Sequence, residues 1–155
     1  MKREKLDSVV YMWISFGLVV VAVLMMFVPL YTAEGQICSA THNGGFFGNA
    51  LHEGAWPSFI GYMLILLGGI ITGVLALPFI QPSYQGEKLV LIAASAIECI
   101  GIALVMTCVV WYCLINGHPE LITHAGYTVH AGSYITTGLT ILAVACNTRA
   151  ILLDK

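Results

Sequence analysis

The feature that most constrains this chain is the way its few charges are divided among four long apolar stretches. The six basic residues lie at the two ends of the chain and in the short connection between the second and third stretches. The five histidines lie in or beside the other two connections. Because short connections rich in Lys and Arg stay in the cytoplasm, the pattern predicts cytoplasmic termini and two outer loops. The basic residues are Lys2, Arg3, Lys5, Lys88, Arg149 and Lys155, and the histidines are His42, His52, His118, His124 and His130.

The composition indicates a membrane protein. Hydrophobic residues make up 59% of the 155 residues and charged residues only 9%. A soluble domain carries roughly 25% charged residues. Four spans of about 20 residues each occupy most of the chain and leave no room for a soluble domain. The spans lack the alternating pattern of a membrane β-barrel, and no basic stripe indicates a nucleic-acid partner.

We therefore predict an all-α integral membrane protein, a four-helix transmembrane bundle that forms a single domain over residues 1–155. The predicted spans cover about residues 8–31, 55–80, 89–115 and 127–153, and the outer loops about residues 32–54 and 116–126, the first being the longer. Pro29 is expected in the last turn of the first span, and Trp56-Pro57 near the start of the second. The short Lys- and Arg-flanked spans suit a bacterial plasma membrane.

One carboxylate, Glu98, falls inside a predicted span. It lies roughly 13–15 Å from the inner end of the third span, near the middle of a hydrocarbon core about 30 Å thick. An ionised carboxylate at that depth costs at least about 2.5–3.5 kcal/mol, and no span carries a Lys or Arg at a comparable depth. Glu98 could be neutral and hydrogen-bonded to a hydroxyl such as Thr72 or Thr140. Alternatively it lines a polar cavity for protons or cations, or it meets a group on another subunit.

Small and aromatic residues mark two candidate packing surfaces. Gly69 and Gly73 form a small-xxx-small pair on one helix face, which allows a second helix to approach closely. Phe46 and Phe47 lie in the first outer loop, where two large apolar side chains require a lipid interface, the top of the bundle or another protein. Both sets are interpreted either as packing within this chain or as contacts with a partner.

The outer histidines suggest a metal site or a pH sensor. Imidazole and carboxylate groups bind zinc, copper and nickel, so convergence of the two outer loops would create a divalent-metal site. The candidate ligands are His42, His52, Glu53, His118 and His124. Their spacing matches no H-x-x-x-H or H-E-x-x-H pattern, so polar loop residues at a headgroup surface are the simpler interpretation. Protonation of the histidines in an acidic medium would also reverse the charge of the outer face.

Cysteine positions predict at most one disulfide. Cys38 lies in the first outer loop and Cys113 near the outer end of the third span, so both lie on the oxidising side of the membrane. A Cys38–Cys113 bond would fasten the long loop to the bundle. The chain has no C-x-x-C motif, and no Asp lies outside the predicted inner termini to complete a Ser-His-Asp triad.

The absence of a catalytic motif in the sequence predicts a protein that is not an enzyme. The first functional hypothesis is a small accessory or assembly subunit that packs against a larger membrane protein. The second is a homo-oligomeric transporter or channel in which Glu98 handles a proton or a cation. A metal- or pH-sensing role at the outer face is the third. The expected partners are the lipid bilayer and either another membrane protein or further copies of the same chain.

Overall fold

The structure, a computed structural model, describes residues 2–33, 36–38, 56–78, 84–115, 117, 122 and 128–153. Its helices are α1 (Lys2–Leu24), α2 (Trp56–Leu75), α3 (Tyr84–Met106), α4 (Cys108–Ile115) and α5 (Ala131–Leu153), and a 3-10 turn (Met25–Phe27) follows α1. Four segments are long and apolar enough to cross a membrane: Asp7–Phe27, Trp56–Leu75, Gln85–Met106 and Ala131–Leu153. The prediction of a mainly helical protein with four such helices is confirmed.

The first helix ends earlier than predicted. Pro29 was expected inside its last turn, but the helix gives way to the 3-10 turn after Leu24, and Val28 is already extended, with φ −90° and ψ 148°. The residue before a proline avoids the helical region because the proline ring clashes with its backbone. The helical part of the predicted span over residues 8–31 therefore ends at Phe27.

A small antiparallel sheet occupies the end of the bundle beyond α1, a feature that the all-α prediction did not include. Its strands are β1 (Tyr31–Ala33), β2 (Gln36–Cys38) and β3 (Thr128–Val129), in the order β2-β1-β3. Tyr31 pairs with Cys38 on one side and with Val129 on the other. The sheet therefore links the start of the connection after α1 to the segment just before α5. We call this end of the bundle the sheet end.

The third span begins at Tyr84 rather than near residue 89, and it is interrupted at Thr107. The Thr107 hydroxyl donates to the carbonyl of Ala103 at 2.6 Å and accepts from the Trp111 indole nitrogen at 2.9 Å. The backbone amides of Thr107 and Trp111 still bond the carbonyls four residues earlier. Threonine hydroxyls that bond back to the preceding turn compete with the regular helix pattern, and α4 begins directly after Thr107.

Direct contacts establish how the helices are arranged. Ser8 and Ser15 of α1 donate to the carbonyls of Ala150 and Ala143 of α5, at 3.4 Å and 3.1 Å. Residue numbers rise along one helix as they fall along the other, so α1 and α5 are antiparallel. The start of α1 and the end of α5 therefore share one end of the bundle, which we call the terminal end.

The helix α2 packs closely on α3. A Cβ atom added to Gly61 would lie 2.8 Å from the carbonyl oxygen of Gly101. Only glycine permits the two backbones to approach this closely.

The lipid-facing side of α5 is apolar, whereas its buried face is small and polar. Along α5 the buried residues are small or polar, and from Ser133 onward they recur at spacings of three and four: Gly132, Ser133, Thr136, Thr140, Ala143, Asn147 and Ala150. Large apolar residues of the same helix, such as Ile141, Leu142 and Leu152, are each 55–56% exposed. This arrangement reverses that of a soluble helix and fits contact with lipid, because lipid chains solvate apolar side chains.

Candidate functional site: a buried polar layer around Glu98

Glu98 lies on the interior face of α3, with 0% of its surface exposed. Two apolar clusters lie on either side of it along the helix. Leu91 belongs to the cluster near the terminal end, and Val105 belongs to the larger cluster toward the sheet end. The carboxyl group therefore lies in the middle of the bundle, away from both helix ends.

Each of the four spans contributes one buried polar residue between these two apolar clusters. Ser15 of α1 follows Met12 of the first cluster and precedes Val19 of the second. Thr72 of α2, Glu98 of α3 and Asn147 of α5 occupy corresponding positions, and all four side chains are fully buried. We call Ser15, Thr72, Glu98 and Asn147 the polar layer.

Glycine on the neighbouring helix makes room for the Glu98 side chain. A Cβ atom added to Gly68 of α2 would lie 2.5 Å from Cγ and 3.1 Å from Oε1 of Glu98, and 2.9 Å from the carbonyl oxygen of Ala94. The side chain therefore lies directly against the α2 backbone. Because helical side chains lean toward the N-terminus of their helix, the carboxyl group extends from Glu98 back toward the level of Ala94 and Ser95.

The polar layer contains more acceptors than its neighbours satisfy. Within the described residues, the two carboxyl oxygens of Glu98 and the amide oxygen of Asn147 all lack a hydrogen-bond partner. The Asn147 amide nitrogen donates to the Ser95 hydroxyl at 3.4 Å, which is long for such a bond. Ser95 lies one turn before Glu98 on α3. Asn147 and the carboxyl group therefore lie at a similar depth, and a proton on the carboxyl would supply a missing donor.

The two hydroxyls predicted as partners of Glu98 are used elsewhere. Thr72 donates to the carbonyl of Gly68 at 3.1 Å, and Thr140 donates to the carbonyl of Thr136 at 2.8 Å. Each threonine thus bonds the preceding turn of its own helix, a common arrangement for threonine in a helix interior. Thr72 lies in the polar layer, but neither hydroxyl satisfies the carboxyl group.

The predicted glycine pair, Gly69 and Gly73, packs against α1 of the same chain. A Cβ atom on Gly69 would overlap the side chain of Val19, and one on Gly73 would lie 2.9 Å from the Phe16 ring. Both glycines are buried where α1 crosses α2, so this face is not open to a partner helix. Phe46 and Phe47, the other predicted partner contacts, lie outside the described residues.

The predicted metal ligands also lie outside the described residues. This applies to His42, His52, Glu53, His118 and His124. Within the described parts of the chain, no three His, Cys, Asp or Glu side chains lie close enough to hold a metal ion. The outer-face divalent-metal site and the pH-sensing role therefore stay predictions.

The predicted Cys38–Cys113 disulfide also stays a prediction. The β1–β2 register places the Cys38 backbone opposite Tyr31, whose ring lies 5.6 Å from that of Tyr112. Cys113 follows Tyr112 in α4 and is buried. The two cysteines are thus brought to the same end of the bundle by the backbone, but the Cys38 side chain lies outside the described residues.

Sequence reasoning missed Asn147 and Ser95. A usable signal was present for Asn147, because Ser133, Thr136, Thr140 and Asn147 recur at spacings of three, four and seven, which is one helix face. Ser95 gave no comparable signal. Its importance depends on which helix faces α3, and single-helix periodicity does not reveal that.

Comparison of the chain with protein-family models, with curated proteins and with solved structures finds no match in any of the three.

Proposed function

We propose that this protein is a small homo-oligomeric membrane transporter or channel in which the Glu98 carboxyl group binds and releases a proton. The observation that supports this function best is the enclosure of both Glu98 oxygens without a hydrogen-bond partner in the described residues. They lie in a layer that draws a polar residue from each of the four spans. Intramembrane carboxyl groups of this kind commonly form part of proton or cation pathways.

The energetic cost of burying the Glu98 carboxyl group favours a functional role for it. A buried acceptor without a partner costs about 1–3 kcal/mol, and more if it is charged. An apolar residue of similar size would avoid this cost and still pack against Gly68. No Lys or Arg occurs among residues 6–87 or 89–148, so the chain has no cation to neutralise Glu98 within the bundle. The group is therefore neutral while enclosed, and it ionises only when water reaches it.

A proton reaches Glu98 only if the helices move. Glu98 has no exposed surface, and it lines neither of two surface clefts among the described residues, one beside Asp7 and one beside Trp13. Ser8 lies on the terminal side of the polar layer, whereas Thr140, Thr136 and Tyr62 lie on its other side, and all are buried. Opening the long Asn147–Ser95 contact would admit water from the terminal side, and separation near Tyr62 and Thr136 would admit it from the sheet end.

The small size of the bundle supports the homo-oligomer in this proposal. Four helices whose side chains fill the space between them leave little room to enclose a gated pathway. A second copy of the chain would supply a surface against which one bundle can move. In this proposal the terminal end faces the cytoplasm, in agreement with the distribution of Lys and Arg, and the membrane is a bacterial plasma membrane.

The test is proton flux into vesicles that contain the purified full-length protein, driven by a potassium diffusion potential. The wild type should acidify or alkalinise the vesicles faster than protein-free vesicles do. Glu98→Gln should reduce the flux to the protein-free level, because an amide fills the same space but does not exchange a proton. Glu98→Asp should retain partial flux.

Glu87→Gln is the matched control, because it removes a carboxyl group from the first turn of the same helix, outside the polar layer. Its flux should equal that of the wild type. Equal thermal unfolding of Glu98→Gln and wild type would show that folding is intact. Wild-type flux that Glu98→Gln leaves unchanged, or the absence of any wild-type flux, would exclude the proposed role.

A second candidate function, the accessory subunit, is favoured by one specific surface. Exposed small residues recur along the lipid-facing side of α3 at Ala93, Ala96, Cys99 and Ala103. Small residues at such spacings allow another transmembrane helix to approach closely. In this alternative the partner would contact α3, since Gly69 and Gly73 are already covered by α1.

Purification of the tagged chain from its native membrane in mild detergent, followed by mass spectrometry, distinguishes the two candidates. The accessory subunit would be favoured by a stoichiometric second protein that Ala96→Phe removes and Ile92→Phe retains. Ile92 is the control because it is a larger exposed residue on the same helix. A homogeneous oligomer of this chain alone would favour the transporter.

A further inference from the structure

A cleft between α1 and α5 at the terminal end combines charged and apolar groups. Its volume is about 380 Å³. The residues that line it are Asp7, Val10, Tyr11, Ile14, Arg149 and Leu153. It is separate from the polar layer, and neither the Glu98 proposal nor the subunit alternative uses it.

The two charges of the cleft lie within about 3 Å of each other in depth along the bundle. Asp7 precedes Ser8 and Arg149 precedes Ala150, and the Ser8 hydroxyl bonds the Ala150 carbonyl across the two helices at 3.4 Å. Both charged side chains are exposed. Within the described part of the chain, neither has a hydrogen bond or an ion pair. The two residues give the lining of the cleft one negative and one positive charge.

The apolar part of the cleft runs from these charges toward the middle of the membrane. Val10 and Ile14 lie one turn apart on α1 and are 48% and 47% exposed. From Asp7 to Ile14 the helix rises about 10 Å. Tyr11 lies between them, at the depth where tyrosine commonly meets lipid headgroups. The cleft therefore has a charged end at the interface and an apolar track that continues into the hydrocarbon region.

We propose that this cleft binds one phospholipid whose headgroup carries a phosphate and a primary ammonium, as in a phosphatidylethanolamine. Arg149 bonds the phosphate, because guanidinium groups present paired N–H donors to phosphate oxygens. Asp7 accepts N–H bonds from the ammonium group, and an acyl chain lies along Val10 and Ile14. Asp7 disfavours a purely anionic headgroup. A choline headgroup lacks N–H donors and is held less tightly.

The experiment measures binding of short-chain lipids to delipidated full-length protein in detergent, by native mass spectrometry and by the shift in unfolding temperature. Phosphatidylethanolamine should bind the wild type more tightly than phosphatidylcholine or phosphatidylglycerol. Arg149→Gln should weaken its binding about tenfold or more, the effect of losing a charge-assisted hydrogen bond. Asp7→Asn should remove the preference over phosphatidylcholine.

Two variants at the same end of the bundle but outside the cleft serve as controls. Lys88→Gln and Glu87→Gln change the charge of that end by the same amounts and should leave the affinity unchanged. Binding of phosphatidylethanolamine that survives both Arg149→Gln and Asp7→Asn would overturn the proposal. Equal stabilisation by soluble phosphoethanolamine would also overturn it, because the cleft would then recognise a phosphate ester without a lipid chain.

Discussion

Two buried polar centres of this bundle differ in how completely their hydrogen bonds are satisfied. Near the sheet end, Tyr62 and Thr136 join α2 to α5 through a 2.9 Å hydrogen bond between their hydroxyls. The Thr136 hydroxyl also donates to the Gly132 carbonyl at 2.8 Å, so the Tyr62 hydroxyl is the donor of the first bond. In the polar layer, both oxygens of Glu98 and the amide oxygen of Asn147 have no partner among the described residues.

The difference separates a structural cross-link from a site that carries a cost in stability. A satisfied pair inside a membrane protein stabilises the fold modestly, whereas an unsatisfied carboxyl group destabilises it unless a proton, a water molecule or a ligand completes its bonds. The two centres should therefore respond oppositely to apolar replacement. The following substitutions test that contrast.

The largest effect is expected at Gly68, which separates Glu98 from the α2 backbone. Gly68→Ala places a methyl group 2.5 Å from the Glu98 side chain and 2.9 Å from the Ala94 carbonyl. We expect a loss of about 1–3 kcal/mol in the free energy of unfolding, typical of overpacking. Unfolding in mixed micelles measures it. Gly138→Ala is the matched control, since no atom lies within 4 Å of the added methyl there. Equal stability of the two variants would contradict the close α2–α3 contact.

Replacement of Glu98 by methionine should act in the opposite direction. Methionine has a similar length and no polar oxygen, so it removes the unsatisfied carboxyl group while filling the same space. We expect the free energy of unfolding to rise by about 1–2 kcal/mol, measured as above. A fall in stability would mean that the carboxyl group makes a stabilising bond in the folded protein, and the contrast with Tyr62 would fail.

Replacement of Tyr62 by phenylalanine should give the smallest of the three effects. It removes only the hydroxyl that bonds Thr136, and Thr136 keeps its bond to Gly132. We expect a loss of about 0.5–1.5 kcal/mol in the free energy of unfolding. Tyr134→Phe is the control, because Tyr134 lies on α5 with 58% of its surface exposed. An equal loss in both variants would argue against the Tyr62–Thr136 cross-link.

Much of the fold could be predicted from the sequence because membrane insertion depends on length, hydropathy and flanking charge. Those properties gave four helices, and Glu98 was recognisable from its depth alone. The helix ends were less predictable. Proline at residue 29 keeps Val28 extended and so stops the helical stretch at Phe27, whereas the short strands that follow depend on contacts between distant segments.

The composition of the polar layer was only partly predictable. The periodicity of α5 places Asn147 on the same face as Thr136 and Thr140, but it does not say which helix faces it. The fit of Glu98 against Gly68 depends on the register between α2 and α3, and that register cannot be read from the sequence. Hydroxyls at suitable depths, such as Thr72, were plausible partners for Glu98 until their bonds to their own helix were known.

The central claim, that Glu98 binds and releases a proton, is tested most directly by infrared spectroscopy of the protein in lipid bilayers. The carboxyl stretching band of Glu98 is identified by its absence in Glu98→Gln, and its intensity is followed as the pH is raised on both sides of the membrane. Our account predicts a band from a protonated carboxyl group that disappears reversibly while the protein stays folded. A band that stays constant over that range would show a permanently neutral packing residue and would contradict the account.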